Sequence, residues 1–94
     1  MYKLSKKAEE DFGIIYEYTW LNFGEDQADD YTDDMERCLL ILSEAPLLGR
    51  DYNEIKQGIR RHDYKKHAIF YRIREQGIFI LRILHQQMNP MLHL

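Results

Sequence analysis

The pattern of apolar and polar positions between His67 and His85 predicts a β-hairpin at the centre of the fold. Two apolar runs rich in Ile, Phe and Tyr flank a single glycine, Gly77, which is the strand–turn–strand signature. A three-residue loop over 75–77, with the glycine in a bulge, gives one uncharged face. The side chains expected on this dry, core-facing side are Ile69, Tyr71, Ile73, Phe79, Leu81 and Ile83.

The other face of the predicted hairpin, here the mixed face, is half apolar and half cationic. It carries Phe70, Arg72, Arg74, Ile78, Ile80, Arg82 and Leu84. A two-residue turn at Gln76 and Gly77 would place arginine on both faces, so burial of one face favours the three-residue loop. The mixed face has no partner in the predicted fold, and contiguous apolar surface of this kind commonly marks a binding site.

Two amphipathic helices are predicted ahead of the hairpin. The first follows Ser5, a favoured N-cap residue, and ends at Gly24, a natural C-cap. Its apolar positions at helical spacing are Ala8, Phe12, Ile15, Tyr16, Thr19 and Phe23. A second stripe of Ile14, Tyr18 and Leu21 lies away from the first and indicates either a wide core face or a contact surface for another chain.

The second helix is predicted from Glu25 to Ala45, where Pro46 ends it. Its expected buried stripe is Ala28, Tyr31, Met35, Cys38, Leu39 and Leu42. The acidic residues of its first turns complement the helix dipole, and they lack the ligand pattern of a calcium loop. Because only Gly24 separates the two helices, they are expected to form an antiparallel hairpin.

The remaining segments complete one α+β domain over residues 1–94. A short strand is predicted at Tyr2–Leu4, a loop over 46–58 and a polar strand at Ile59–Tyr64. The tail after the hairpin is expected to be loose. The predicted order is therefore β-α-α-β-β-β, with the helix hairpin packed on a mainly antiparallel sheet.

Charge and composition narrow the class of protein. The chain is 45% hydrophobic and 31% charged, which argues against a disordered or membrane-spanning protein. Residues 1–49 hold 4 basic and 12 acidic groups, and residues 50–94 hold 9 basic and 4 acidic groups. This dipolar surface can orient partners. The N-terminus lacks the apolar core of a signal peptide, and the single cysteine, Cys38, is compatible with a reducing cytoplasm.

Motifs that carry chemistry are sparse. The sequence has no Ser/His/Asp grouping in a recognisable context, no phosphate-binding glycine loop and no Cys/His metal spacing. We therefore predict no catalytic residue, no metal and no cofactor. The basic residues of the second half have aromatic residues between them, a composition that suits phosphate or carboxylate contacts.

Ordered motifs along the whole chain resemble the ParE toxins of the RelE/ParE superfamily. They are Tyr2–Ser5, Ala8–Glu9, Asp11, Tyr18, Phe23–Ala28, Leu42–Pro46, Gly49–Arg50, Gly58–Arg60, His67–Arg72, Ile83–His85 and Met88–Asn89. Each motif alone is weak, and their order and spacing over the whole chain make the resemblance specific. The sequence departs from the family at Lys6, where proline is frequent, and at Asn89, where aspartate is frequent.

The resemblance implies a cytoplasmic, non-catalytic toxin that poisons DNA gyrase and is neutralised by a ParD-like antitoxin in a hetero-oligomer. In this family a segment of the antitoxin folds on contact and wraps the toxin. An acidic amphipathic segment would suit the mixed face. The predicted antitoxin-binding residues are Phe70, Arg72, Arg74, Ile80, Arg82 and Leu84. The predicted target contacts are Arg60, Arg61, His85 and Met88.

Two alternatives remain open at the level of sequence. RelE-type relatives share the fold and cleave messenger RNA on the ribosome, a role for which Arg60, Arg61, Arg82 and His85 are the available residues. A non-toxic homologue would only bind antitoxin. A module that binds specific DNA sequences is disfavoured by the overall acidity and by the lack of a recognition helix.

Overall fold

Two helices pack on one face of a five-stranded sheet in the computed structural model, which describes residues 1–94. The helices are α1 (Lys6–Phe23) and α2 (Glu25–Glu44). The strands are β1 (Tyr2–Leu4), β2 (Arg50–Asp51), β3 (Arg60–Tyr64), β4 (His67–Arg74) and β5 (Gly77–His85). The predicted α+β fold and helix hairpin are confirmed. The two-residue strand β2 lies within the segment predicted as a loop, because so short a strand has no periodicity to detect.

The sheet has the strand order β1-β5-β4-β3-β2. The first and last strands of the chain are neighbours and run parallel, whereas the other three pairs are antiparallel. Strand β1 pairs only with Ile78–Ile80 of β5. Since α1 follows β1 directly, it lies along β5 and covers the sheet face that holds the main core.

Ser5 joins the end of β1 to the start of α1. Its Oγ accepts a hydrogen bond from the Ala8 amide at 3.0 Å and donates to the Leu81 carbonyl at 2.8 Å. The Ser5 amide donates to the Ile80 carbonyl at 2.8 Å. The predicted N-cap is therefore confirmed, and the same side chain also continues the bonding of β1 to β5. At the other end of α1, Gly24 has a φ of +94°, which favours glycine.

The turn of the β4–β5 hairpin is shorter than predicted. Arg74 pairs with Gly77, so the turn consists of Glu75 and Gln76 alone. Ile73 consequently pairs with Ile78 rather than with Phe79. The three-residue loop is wrong, although Gly77 does adopt a positive φ of +132°.

A bulge in β5 then shifts the register in the middle of the hairpin. Tyr71 is opposite Ile80, and the preceding residue, Phe70, is opposite Arg82. Leu81 is thus the extra residue on β5. A bulge of this kind reverses which residues of the strand face the core, because side chains otherwise alternate strictly between faces.

The bulge and the short turn together decide which side chains reach the helices. The main core consists of Ala8, Ile15, Met35, Cys38, Leu39, Leu42, Ile69, Tyr71, Ile78, Ile80 and Ile83. Ile78 and Ile80 had been predicted for the mixed face. Ile73, Phe79 and Leu81 had been predicted for the core and lie outside it. The predicted pairing of Ile69 with Ile83 beyond the bulge is confirmed.

The buried faces of the helices largely match the prediction. On α2, Thr32 is buried and Tyr31 is half-buried, while the other five predicted positions are buried. On α1, Phe23 is exposed, and the buried face includes Asp11, which was not predicted. Burial raises the pKa of the Cys38 thiol, as expected for a small core residue. Neither helix has the length and apolar composition of a membrane span.

Tyr71 holds the turn that follows α2. Its buried hydroxyl donates to the Pro46 carbonyl at 2.6 Å and accepts from the Gly49 amide at 2.9 Å. A Cβ at position 49 would lie 2.3 Å from this hydroxyl oxygen, so the approach requires glycine. The turn is consequently fixed to the middle of the sheet.

A second, smaller cluster lies on the outer face of the sheet, the face away from α1 and α2. It contains Ile59, Ala68, Phe70 and Leu84, and Tyr52, Leu81 and Leu94 pack against it. The tail contains a 3₁₀ helix, Pro90–Leu92, which Asn89 caps. The expectation of a loose tail is wrong, because Leu94 packs on the outer cluster and the His93 carbonyl accepts a hydrogen bond from Arg82 at 3.0 Å.

The register of the hairpin predicts different losses of stability when the neighbouring side chains of Ile80 and Leu81 are truncated. Ile80→Ala should lower the free energy of unfolding by about 2–5 kcal/mol, because it opens a cavity in the main core. Leu81→Ala should cost clearly less, because Leu81 is half-buried at the edge of the outer cluster. Urea unfolding of both variants measures the difference. A larger loss for Leu81→Ala would favour the register predicted from the sequence, in which Leu81 rather than Ile80 is opposite Tyr71.

Candidate partner-binding surfaces

The apolar residues predicted to bind an antitoxin are covered by the chain itself. Phe70, Ile80 and Leu84 are 0%, 0% and 1% exposed. Ile80 faces the helices, whereas the other two lie beneath Tyr52 and Leu94. The ring centroids of Tyr52 and Phe70 are 5.7 Å apart. The expectation that these three side chains are exposed is therefore wrong, and their assignment to antitoxin binding stays an untested prediction.

Arg82 belongs to a buried ion pair with Asp11. Its Nε donates to Oδ2 of the carboxylate at 2.8 Å and its Nη2 to Oδ1 at 2.9 Å. The two side chains are 15% and 9% exposed. The same Oδ2 accepts the Ile83 amide at 3.0 Å. Hydrogen bonding to Asp11 raises the pKa of Arg82. Arg82 was expected to be free for a partner. In the structure it is instead bonded to Asp11 of α1 and to the His93 carbonyl of the tail.

The sequence does contain a signal for this ion pair. Asp11 is three residues after Ala8 and four before Ile15, so helical spacing places its carboxylate on the buried face. A buried carboxylate requires a cation or several hydrogen-bond donors. Because Asp11 is not apolar, it has no place in the pattern of apolar positions that predicted the buried face of α1.

The two arginines of β3 also make contacts within the chain. Arg60 donates from Nε and Nη2 to the Gly49 carbonyl at 2.9 and 2.6 Å. Arg61 donates to Oδ1 of Asp63 at 2.8 Å, and its guanidinium lies 5.4 Å from the Phe70 ring centre. Burial would raise the pKa of Asp63, but its bonds to Arg61 hold that pKa below the usual value. The predicted role of both arginines as target contacts stays a prediction.

His85 lies in a cluster of rings at the end of the hairpin opposite the turn. Its ring packs edge-on against His67 at 5.5 Å between centroids, and His67 Nδ1 shares a 2.6 Å hydrogen bond with the Tyr31 hydroxyl. Burial, helped by the nearby His85, lowers the pKa of His67 to about 4. His67 is therefore neutral near pH 7. The fourth predicted target contact, Met88, is 38% exposed in the tail.

The acidic side chains of α2 contact their neighbours and form no metal centre. Asp34 pairs with Arg37 and lies 3.7 Å from Nζ of Lys65. Asp29 accepts a hydrogen bond from the Tyr16 hydroxyl at 2.8 Å. No group of three or more His, Cys, Asp or Glu side chains is arranged to hold a metal ion.

Two of the surfaces predicted from the sequence are exposed. The first is the α1 stripe, made of Ile14, Tyr18 and Leu21, which are 64%, 63% and 66% exposed. These residues are outside the core, so the wide core face considered for α1 is excluded. The second surface is the end of the outer face next to the hairpin turn, where Arg72 is half-buried and Arg74 is exposed.

Comparisons with known proteins agree on one family. A family model described as "ParE toxin of type II toxin-antitoxin system, parDE" matches residues 2–90. Toxin ParE1 of Caulobacter vibrioides is 33% identical over 93 residues, which cover 99% of this chain and 96% of the relative. Toxin ParE1 of Mycobacterium tuberculosis is 33% identical over 89 residues, which cover 94% of this chain and 91% of the relative.

A comparison of structures gives a matching fold. A chain from the "Chromosomal ParDE TA system from P. aeruginosa" superposes with a TM-score of 0.78 at 22% sequence identity. The match covers 89% of this chain and 92% of that one. The helix hairpin and the mixed sheet are therefore shared with a solved structure.

The buried ion pair predicts a large stability loss when one partner is removed. Arg82→Ala should lower the free energy of unfolding by about 3–5 kcal/mol, because the Asp11 carboxylate is left buried without its cation. Arg74→Ala, at an exposed position on the neighbouring strand, serves as the control. Urea unfolding compares the two variants, and equal midpoints for them would show that the pair does not hold the fold together.

The neutral His67 predicts a stability that falls on acidification. Its pKa is about 4 in the folded chain, below the ordinary value of 6.5, so the unfolded chain binds the proton first as the pH drops. The free energy of unfolding should therefore decrease between pH 6.5 and pH 4. Urea unfolding across this range, compared with His67→Gln, isolates the contribution. An NMR titration giving His67 a pKa near 6.5 would contradict the assignment.

Proposed function

Because the chain belongs to the ParE toxin family of type II toxin–antitoxin systems, we propose that it poisons DNA gyrase and that a ParD-like antitoxin neutralises it. The observation that carries the proposal is the family match over residues 2–90. Similarity to two ParE1 toxins, each 33% identical over at least nine-tenths of both chains, supports it. We infer the gyrase target and the antitoxin from what is implied by membership of the family.

The contacts of the basic residues support a toxin that acts by binding. A ribonuclease needs an exposed acid and base on either side of a phosphate. Of the residues available for that role, Arg82 is committed to Asp11 and Arg60 to the Gly49 carbonyl. Arg61 is bonded to Asp63, and Nδ1 of His85 accepts the Gln87 amide at 3.2 Å. These contacts disfavour cleavage of messenger RNA and leave gyrase, the target implied by the family, as the proposed one.

We place the apolar part of the antitoxin on the α1 stripe. Ile14, Tyr18 and Leu21 have the spacing with which one side of a helix meets a partner segment. Glu10 and Glu17 are exposed and lie beside the stripe at helical spacing. A segment with apolar residues flanked by basic ones would bury the stripe and pair with these acids. The outer cluster, by contrast, is closed by Tyr52 and Leu94.

The proposal predicts a gyrase-dependent effect that the antitoxin reverses. Purified toxin added to gyrase and plasmid should inhibit supercoiling and accumulate cleaved DNA, and the antitoxin encoded beside the toxin should restore supercoiling. In parallel, the toxin should leave messenger RNA on ribosomes intact. Cleaved message with unaffected gyrase would replace the proposal with the ribonuclease. Antitoxin binding with neither activity would identify a non-toxic homologue.

A matched pair of variants tests the antitoxin surface in the same assay. Tyr18→Glu, in the α1 stripe, should still inhibit gyrase and should resist neutralisation. Leu40→Glu, on the exposed side of α2, adds the same charge to another helix and should be neutralised like the parent. Normal neutralisation of Tyr18→Glu would place the antitoxin elsewhere.

A further inference from the structure

Three cationic residues are neighbours of Phe79 in the sheet, at the end of the outer face next to the hairpin turn. Lys3 on β1 and Arg72 on β4 both pair with Phe79 on β5. Residues directly opposite each other share a face, so the three side chains form one row across three strands. Arg74 has its guanidinium carbon 3.9 Å from the ring centre of Phe79. These four residues are here called the Phe79 patch, and each is exposed or half-buried.

The cations of the Phe79 patch have no carboxylate partner within the chain. The arginines that do have one are Arg37, Arg50, Arg61 and Arg82. In the patch, Arg72 donates to the Gln57 carbonyl at 2.9 Å, and the side chain of Arg74 makes neither a hydrogen bond nor an ion pair. Arg74 is nevertheless oriented, because stacking of its guanidinium on an aromatic ring restricts it. It is thus an arginine held in place with its donors free.

Packing of β1 against the hairpin turn holds Lys3 beside this arginine. A Cβ on Gly77 would lie 2.3 Å from the Met1 carbonyl oxygen, so only glycine allows β1 to approach so closely. A cavity of about 250 Å³ opens at this junction, lined in part by Lys3, Arg74 and Phe79. No acidic side chain lines it. The cavity is therefore cationic on two sides with an apolar surface between them.

We propose that the Phe79 patch binds acidic side chains of the ParD-like antitoxin, an inference that rests on the proposed function. Guanidinium and ammonium groups bind carboxylates through charge-assisted hydrogen bonds. Neighbouring strands are about 4.8 Å apart, so Lys3 and Arg72, on either side of β5, are separated by roughly twice that distance. Two or three carboxylates on a short segment match this spacing, and Phe79 contacts its apolar atoms.

The charge distribution of the chain favours an acidic segment over a nucleic acid. Residues 1–49, which include both helices, hold 12 acidic and 4 basic groups. A duplex carries one charge per about 1.7 Å of its length, so it would extend beyond the patch and meet this negative surface. A short segment can end at the patch. The same asymmetry predicts how the antitoxin is oriented on the toxin. Its apolar and basic part lies on the α1 stripe, and its acidic part lies at the Phe79 patch.

Charge reversal at the patch tests the inference. We would measure the affinity of the antitoxin encoded beside the toxin by calorimetry for the parent, Arg74→Glu and Lys3→Glu. Each reversal should weaken binding by about tenfold or more, since it replaces an attraction with a repulsion. Lys66→Glu changes the net charge equally at the opposite end of β4, where Lys66 is exposed, and should leave the affinity within about twofold. Circular dichroism confirms folding, and Arg74→Gln replaces Arg74→Glu if the latter unfolds.

The outcomes separate this inference from the function on which it rests. Parent affinity in folded Arg74→Glu and Lys3→Glu, with the parent binding antitoxin, would overturn the patch and leave neutralisation intact. A parent that binds no antitoxin would overturn both. A single-stranded DNA oligonucleotide that binds the parent and loses affinity on Arg74→Glu, while antitoxin affinity is unchanged, would assign the patch to nucleic acid. Restored binding between Arg74→Glu and an antitoxin with one acid changed to lysine would support the proposed pairing.

Discussion

A single carboxylate, that of Asp11, joins α1 to β5, which lies about 70 residues further along the chain, and through Arg82 it is also linked to the tail. It accepts the Ile83 amide of β5 and two nitrogens of Arg82, and Arg82 in turn holds the His93 carbonyl of the tail. Strand β1 ends at Leu4, and beyond that point the residues of α1 lie beside β5. Burial of this carboxylate is tolerated because each of its oxygens is bonded. The position of α1, and with it the direction of the α1 stripe, depends on this contact.

The sequence predicted the helices and the longer strands, whereas the turn and the bulge of the β4–β5 hairpin, strand β2 and the packing of the tail differ from the prediction. Helical periodicity located both helices, with caps at Ser5 and Gly24, because many residues contribute to each pattern. The alternation within β5 covers few residues, and the bulge at Leu81 interrupts it. Strict alternation therefore assigned Ile80 to the wrong face. Two consecutive residues that leave the core, Leu81 and Arg82, have no signature in a pattern of period two.

The candidate surfaces were partly predictable. Arg72 and Arg74 were predicted on the face away from the helices, and they lie there, Arg72 half-buried and Arg74 exposed. The covering of Phe70 and Leu84 was not predictable, because it depends on Tyr52 in an irregular loop and on Leu94 in the tail. Neither segment has a periodicity that indicates its long-range contacts. The family was recognised from the order of many short motifs, which is information that periodicity does not contain.

The two edge strands of the sheet are short, and this limits how two copies of the chain could pair edge to edge. One edge strand, β1, has three residues, and the remainder of β5 on that side is occupied by Ser5 and by the charged side chain of Asp11. The other edge strand, β2, has two exposed residues of opposite charge, Arg50 and Asp51. Short and charged edges give a strand of a second molecule little backbone to pair with. A copy of the chain on its own therefore presents little continuous sheet edge to a second copy.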